Sequence, residues 1–332
     1  MFRLAVHPSA VVLAAAGLAV AGPSCSGGDD GAQITNVVIL SIDTLNRREV
    51  RGFDEEAPAH PVLDALVSES LRFTAAHSTS SWTLPAHVSI HTGLYPDRGI
   101  PESDRRWATD KYETEDVIVS GAPRLATALR EAGYQTVAFT EGGFVDRRFG
   151  FGEGFDHYDG FSVKESALAG LALPRGGEAP APDSEALFDR ALAYLDARRE
   201  GDPPFFMFLH SYGVHDYFMA HPWAQEAVED TVWRNADFYR DCVRSQVEGT
   251  PRDWQALEGL YHSEVDHMDR ALEAVTDALR ATPGGSRTLL LVLSDHGEGF
   301  EPERGRIGHG GRLHEDLVRI PFFVRGPGIA PG

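Results

Sequence analysis

Three uninterrupted apolar runs constrain the fold of this chain more than any other feature. NVVILSID at 36–43, PPFFMFLH at 203–210 and RTLLLVLS at 287–294 are continuous instead of alternating, the pattern of strands covered on both faces. Each passes directly into polar residues: Asp43 closes the first, His210 and Ser211 the second, and Asp295 and His296 follow the third. Helical spacing fills the intervals. Val62, Leu63, Leu66, Val67 and Leu71 mark a helix over 60–73, and a second over 122–132 precedes the strand QTVAFT at 135–140. A third begins at Ser184 with Leu187, Ala191, Leu192 and Leu195 on one face, and a long amphipathic one covers 253–281. The alternation predicts an α/β fold with a large, mostly parallel sheet sandwiched by helices. Open sheets of this kind bind ligands at the carboxyl ends of their strands, which is where the polar residues stand.

Charge narrows the ligand. The 332 residues carry 50 acidic against 30 basic side chains, a formal net charge of -20. That balance argues against a nucleic-acid partner, which needs clustered Lys and Arg. An anionic substrate must be attracted locally, and a bound divalent cation supplies such a charge inside an acidic protein. The N-terminus offers Arg3, an apolar run from Ala10 to Ala21 and then GPSC, which reads as a signal peptide over 1–25. Cys25 fits a lipidation site, with ordinary secretory cleavage nearby as the alternative. Residues 26–34 read as a flexible tether and 35–332 as the catalytic domain; the Ala, Gly and Pro-rich stretch 164–183 is a surface excursion. Cys242 is the other cysteine, so no intrachain disulfide is needed after processing.

Chemistry concentrates in STSSWTLPAHVSIHTG at 78–93. Pro85 suits a first helical turn, whose peptide donors lack intrahelical partners and favour an anion. Thr83 is either the cap of that helix or a hydroxyl nucleophile. Asp43, Asp295 and His296, each at a strand end, offer oxygen and imidazole ligands for a divalent ion that Thr83 can complete. Ser81 is the rival hydroxyl.

The ordered segments NVVILSIDTL, STSSWTLPAHVSIHTGLYP, GGFVDRRFGFGEGFDHYD, HSYGVHDYF, YHSEVDHMDRALEAVTDAL, VLSDHGEGF and GHGGRLHEDLVRIPFFVRGPG resemble the sulfatase family of the alkaline phosphatase superfamily, from about Asn36 to Gly328. The resemblance implies an alkaline phosphatase-like fold and one divalent metal ion, manganese, calcium or magnesium. Asp43, Thr83, Asp295 and His296 would hold it. Thr83, His215 and His309 would be catalytic, with His87 and His210 toward the substrate, a small-molecule, glycan or lipid ester of phosphate or sulfate. The family pattern also exposes departures. Thr83 stands where formylglycine is usually made from Cys or Ser, and oxidation of its secondary alcohol would give a ketone. His87 replaces the expected Arg, Thr44 a frequent second Asp, and the usual sulfate-gripping lysines are replaced around Glu141 and at Gly310. These features are closer to the threonine-nucleophile branch that includes lipoteichoic acid synthases. The expectation is a metal-dependent ester hydrolase exported to a bacterial envelope, touching the membrane only through a lipid anchor. A phospho-group transferase and a silent anion-binding module are the alternatives. Family members usually continue beyond the equivalent of Gly332, so a C-terminal subdomain is expected to be lacking here.

Overall fold

The computed structural model describes residues 34–100, 117–160, 184–217 and 249–332. The expected signal segment, Cys25, Cys242 and most of the loops 160–185 and 216–250 lie outside the described residues. Among the described residues no helix is long and apolar enough to cross a membrane.

The elements in chain order are β1 (Asn36–Ile42), α1 (Pro61–Ser68), β2 (Leu71–Arg72), α2 (Thr83–Thr92), α3 (Leu125–Glu131), β3 (Gln135–Thr140), β4 (His157–Gly160), α4 (Ser184–Asp196), β5 (Phe205–Ser211), α5 (Pro251–Ala281), β6 (Thr288–Ser294), β7 (Phe300–Glu301), β8 (Arg306–Ile307) and β9 (Phe322–Arg325). Seven of the strands form one sheet in the order β2-β9-β6-β1-β5-β3-β4. The pairs β1–β5, β1–β6, β3–β5 and β3–β4 are parallel, while β9 runs antiparallel to β6 and β2 antiparallel to β9. The predicted mostly parallel, helix-covered sheet is therefore present, with an antiparallel edge.

The period of two along each strand sorts the core into two layers. Val38, Leu40 and Ile42 of β1, Met207 and Leu209 of β5, and Leu290 and Val292 of β6 pack under α1, α4 and α5. Val37 and Ile39, Phe206 and Phe208, and Leu289 and Leu291 pack instead under α2 and α3, with Phe144, Phe149 and Phe151. All seven positions of β1, β5 and β6 are buried, which explains why their sequences are apolar without alternation. Helix α5 opens with a capping box: Thr250 accepts from the Asp253 amide and Asp253 from the Thr250 amide.

One helix is shorter than its spacing predicts. The helix expected over 60–73 ends at Ser68, the Ser70 hydroxyl donates to the Leu66 carbonyl at 2.6 Å, and Leu71 enters the edge strand β2. Edge pairing with β9 satisfies backbone groups that another helical turn would have used. Leu71 is accordingly 38% exposed and belongs to neither core layer.

Candidate active site

Strand register brings the first two acidic residues together. Ser41 of β1 pairs with His210 of β5 on one side and with Leu293 of β6 on the other. Two residues on, and so on the same face, come Asp43 and Asp295, on strands roughly 4.8 Å apart. That face is the one covered by α2, whose first helical residue is Thr83. Its N-cap is Trp82, so Thr83 does not cap the helix. Its hydroxyl donates to Asp43 Oδ2 at 3.2 Å and lies 3.2 Å from His296 Nε2. Pro85, in the first turn, has no N–H to leave unsatisfied, and Gly93 closes the helix at φ 72, with its amide on the Ser89 carbonyl at 2.9 Å. Ser81 precedes the helix; its carbonyl accepts from the Gly310 amide at 2.8 Å, tying the segment before Thr83 to the loop of His309.

Asp43, Asp295 and His296 each offer a ligand atom, and these atoms lie within 4.8 Å of one another. All three residues, and Thr83, are buried. Asp43 Oδ1 and Asp295 Oδ2 receive no hydrogen bond among the described residues, although His296 Nε2 is 3.7 and 3.4 Å from them. Two carboxylates about 5 Å apart repel by roughly 3 kcal/mol at an effective dielectric constant near 20. Burial and then the charge of Asp295 push Asp43 up to about 7, against the pull of His296 and other imidazoles. Burial also acts on Asp295, but His296, His87, His210 and the His296 amide at 2.8 Å outweigh it and hold that carboxyl below its usual value. Orphaned buried carboxylate oxygens, one imidazole and a hydroxyl form a donor set that fits a divalent cation.

The backbone beside the cluster is strained. Thr44 adopts φ 58, the one non-glycine among the described residues with positive φ, a conformation costing about 1–3 kcal/mol. Its amide donates to Asp295 Oδ1 at 3.3 Å and its carbonyl accepts from the Tyr261 hydroxyl at 2.8 Å. That same hydroxyl receives the Asn46 amide at 2.8 Å. The Asn46 side chain in turn donates to the Glu298 carbonyl and accepts its amide, at 2.9 and 3.2 Å. Gly297 of SDHG sits where a Cβ would lie 2.0 Å from the Asp316 carbonyl oxygen, so only glycine fits there.

The five candidate histidines divide into two groups. His87 and His210 are completely buried behind the carboxylates, with ring centroids 4.4 Å apart. His87 Nδ1 is 2.9 Å from the Thr83 carbonyl, and so acts as donor there, while Nε2 is 3.1 Å from the Ser41 hydroxyl. His210 Nε2 is 3.4 Å from Asp43 Oδ2. Burial, reinforced for His87 by His210, lowers both rings to about 4 and leaves them neutral. Both rings were expected to face substrate; here His87 has its two nitrogens engaged by the protein, because α2 packs directly on β1.

His215, His309 and His296 form a row, with ring centroids 5.0 and 4.4 Å apart. His215 Nδ1 lies 2.8 Å from Asp216 Oδ1, and His309 Nδ1 lies 3.3 Å from Glu298 Oε2. A carboxylate on Nδ1 fixes the tautomer, and the Nε2 of His215 lies 3.4 Å from the Tyr212 hydroxyl. Burial alone would lower His215, but the Asp216 hydrogen bond and the charges of Asp43, Asp216 and Glu298 raise it to about 9. Sequence reasoning missed Tyr261, Asn46, Glu298 and Asp216, each of which lies in a quoted motif or beside one. It noted Glu141 as the replacement for a lysine; in the structure its carboxylate accepts the amides of Tyr212 and, at 3.1 Å, Gly213. Lys111 and Lys164, the lysines of the sequence, fall outside the described residues.

Comparison with known proteins agrees with this architecture. The sulfatase family model matches residues 35–332. A choline-sulfatase of Rhizobium meliloti is 23% identical over 337 residues, covering 90% of this chain and 64% of that protein. The chain thus spans a little under two thirds of the length of this curated relative. Among solved structures, a 2-O GAG sulfatase superposes with TM-score 0.63 at 18% identity, covering 90% of this chain and 66% of the other. A phosphonate monoester hydrolase of Agrobacterium radiobacter superposes with TM-score 0.61 at 18% identity, covering 89% and 68%. On the extent of the family match, the chain belongs to the sulfatase family.

Proposed function

We propose that this protein is a metal-dependent hydrolase of phosphate or sulfate esters in which Thr83 is the covalent nucleophile. The observation that carries the reading is the convergence of the Thr83 hydroxyl with Asp43, Asp295 and His296 at the strand ends. These four residues would hold one divalent cation, which when bound supplies the positive charge that stabilises the Thr83 alkoxide and polarises the ester. Thr83 gives its hydroxyl proton to solvent, Oγ1 attacks the phosphorus or sulfur, and the bond to the leaving alkoxide breaks. His215 or His309 gives that alkoxide a proton from its Nε2. The same ring then takes a proton from water, whose oxygen attacks the Thr83 ester and releases free phosphate or sulfate. His87 and His210 act behind the carboxylates. The neutral His87 ring holds the Thr83 carbonyl against β1 through Ser41 and so fixes the direction of the nucleophile.

The phosphoryl reading rests on Thr83, an alcohol that needs no oxidation, and on the likeness to a phosphonate monoester hydrolase. The sulfuryl reading rests on the sulfatase relatives. A screen of the metal-loaded protein on aryl phosphates, phosphodiesters and sulfate esters separates them. Turnover of phosphoryl compounds is expected. Turnover of sulfate esters alone would assign a sulfatase with an unmodified nucleophile, and inertness toward both classes would overturn the hydrolase.

The same reading places the protein outside the cytoplasm, as a periplasmic protein or a lipoprotein anchored through Cys25. Mass measurement of the exported protein before and after lipase treatment tests the anchor.

A further inference from the structure

A second set of ligand-type side chains lies on the other face of the sheet, away from the Thr83 cluster. Glu49 follows β1, His60 caps α1 and His262 projects from α5. Glu49 Oε2 is 3.4 Å from His60 Nε2 and 3.1 Å from His262 Nδ1, and one ligand atom from each of the three lies within 4.8 Å of the others. Ligands at roughly 2.1 Å around a tetrahedral ion stand about 3.4 Å from one another, and the two pairs that include Glu49 are near that spacing.

The remaining ring nitrogens supply an independent observation. His60 Nδ1 is 2.9 Å from Asp266 Oδ1, and His262 Nε2 is 3.5 Å from Asp266 Oδ2. Each imidazole therefore meets Glu49 through one nitrogen, while the other stands within 3.5 Å of the Asp266 carboxylate, and the buried His60 Nδ1 has no hydrogen-bond partner among the described residues. Histidines that ligate metals carry an acceptor on the nitrogen that does not bind, and Asp266 is the carboxylate within reach of both rings for that role. His60 is fully buried and Glu49 nearly so, while His262 is partly exposed and lines a surface cavity of about 510 Å³ with Glu49, Glu56 and Glu258. The cavity gives a cation an acidic entry path.

We propose that Glu49, His60 and His262 form a second, structural cation site for a divalent ion of the zinc type, oriented by Asp266 and completed by water from the cavity. The ion would fasten the segment after β1 and the start of α1 to α5. Tyr261, next to His262, already holds the strained Thr44 and Asn46, so the site would steady the loop that follows Asp43 without touching substrate. This inference does not depend on the chemistry assigned to Thr83.

Zinc bound by the full-length chain after dialysis, measured by elemental analysis, provides the test. In a chain carrying Asp43→Asn and Asp295→Asn, one zinc per chain is expected to remain. His262→Gln is expected to remove it, and Asp266→Asn to weaken it roughly 10- to 100-fold. Cobalt in place of zinc should show the intense visible absorption of a tetrahedral ion, lost with His262→Gln. If the double variant does not fold, the same comparison is made in the parent chain, where His262→Gln must lower the zinc count by one. Failure to retain that ion, or a count unchanged by His262→Gln, would reduce the cluster to an ion-pair network and overturn the site.

Discussion

The two polar clusters of this protein contain similar side chains and solve the problem of burial in opposite ways. At the strand ends, Asp43 and Asp295 share one buried space, each with an oxygen that receives no hydrogen bond, and Asp43 is pushed up to about 7. Between β1 and α5, Glu49 meets two imidazoles; burial would raise it, yet hydrogen bonds from His262 and His60 hold it down at about 2. The first cluster lacks positive charge and keeps a hydroxyl against its carboxylates. The second sets two imidazoles against the carboxylates of Glu49 and Asp266, and has no nucleophile among its members. Charge deficiency next to Thr83 is what suits the strand ends to chemistry, whereas the imidazoles on Glu49 suit the other cluster to holding elements together.

The contrast is broken most severely at Thr83. Thr83→Ala removes the hydroxyl that contacts both the Asp43 carboxylate and His296, and turnover should fall by roughly 10⁴-fold or more, as loss of a covalent nucleophile does. Thr83→Ser should retain measurable turnover. Ester hydrolysis under saturating substrate measures both, and equal rates for Thr83→Ala and the parent would exclude Thr83 as nucleophile. Replacements in the Glu49 cluster should leave the chemical step far less affected.

The reason Thr83 was visible in the sequence, and its supports were not, lies in the range of the interactions. Asp43, Asp295 and His296 stand where apolar runs stop, and period-two parity alone puts Asp43 and Asp295 on one face once the strands pair. Register between β1 and β6, which local spacing does not contain, is what makes them neighbours. Tyr261 reaches Thr44 across 217 residues and Asn46 across 215. Its position inside α5 looks like ordinary amphipathic spacing. Leu71 shows the reverse: it continues the helical spacing of α1, but pairing with β9, distant in sequence, draws it into an edge strand. The positive φ of Thr44 left no compositional trace, since threonine is not a residue chosen for that conformation.

The next largest effect concerns the two carboxylates in metal-free protein. Asp43 is raised from 3.8 to about 7, so the folded state holds its proton more tightly than the unfolded chain does. Stability should therefore be greatest below pH 4 for this group and decline as pH rises through about 7, a loss on the order of 4 kcal/mol. Asp43→Asn should abolish that slope and stabilise the chelated protein at pH 8, while eliminating activity. Denaturant midpoints at pH 5 and 8, with and without added manganese, check this. His87 and His210, both lowered to about 4, gain stability over the same interval, so the comparison is between proteins: if Asp43→Asn shows the same difference between pH 5 and pH 8 as the chelated parent, the two carboxylates are not in conflict.

The opposite sign is expected at Glu49. Its folded value lies below 4.5, so its contribution is complete above that pH and disappears as pH falls toward 2. In metal-free protein Glu49→Gln should cost about 2 kcal/mol at pH 6 and little at pH 2. Paired urea titrations at the two pH values decide it. A loss of equal size at both would mean that the carboxylate contributes through packing and not through its charge.

The smallest effect sharpens the assignment of the proton donor. Burial works to lower His215, and the Asp216 hydrogen bond followed by the charges of Asp43, Asp216 and Glu298 raises it to about 9. A ring that must be protonated to release the alcohol is active below that value and loses activity as pH rises through it. A cation at the strand ends would offset the charge of Asp43, so the basic limb of kcat in the loaded enzyme should fall at or below 9. Asp216→Asn removes the hydrogen bond and one negative charge, and should move the limb down by about one unit. Near pH 7 the rate should change little. His309, oriented by Glu298, provides the control: if Glu298→Gln moves the limb and Asp216→Asn does not, the proton comes from His309, and the raised His215 serves only to hold negative charge near the row of rings.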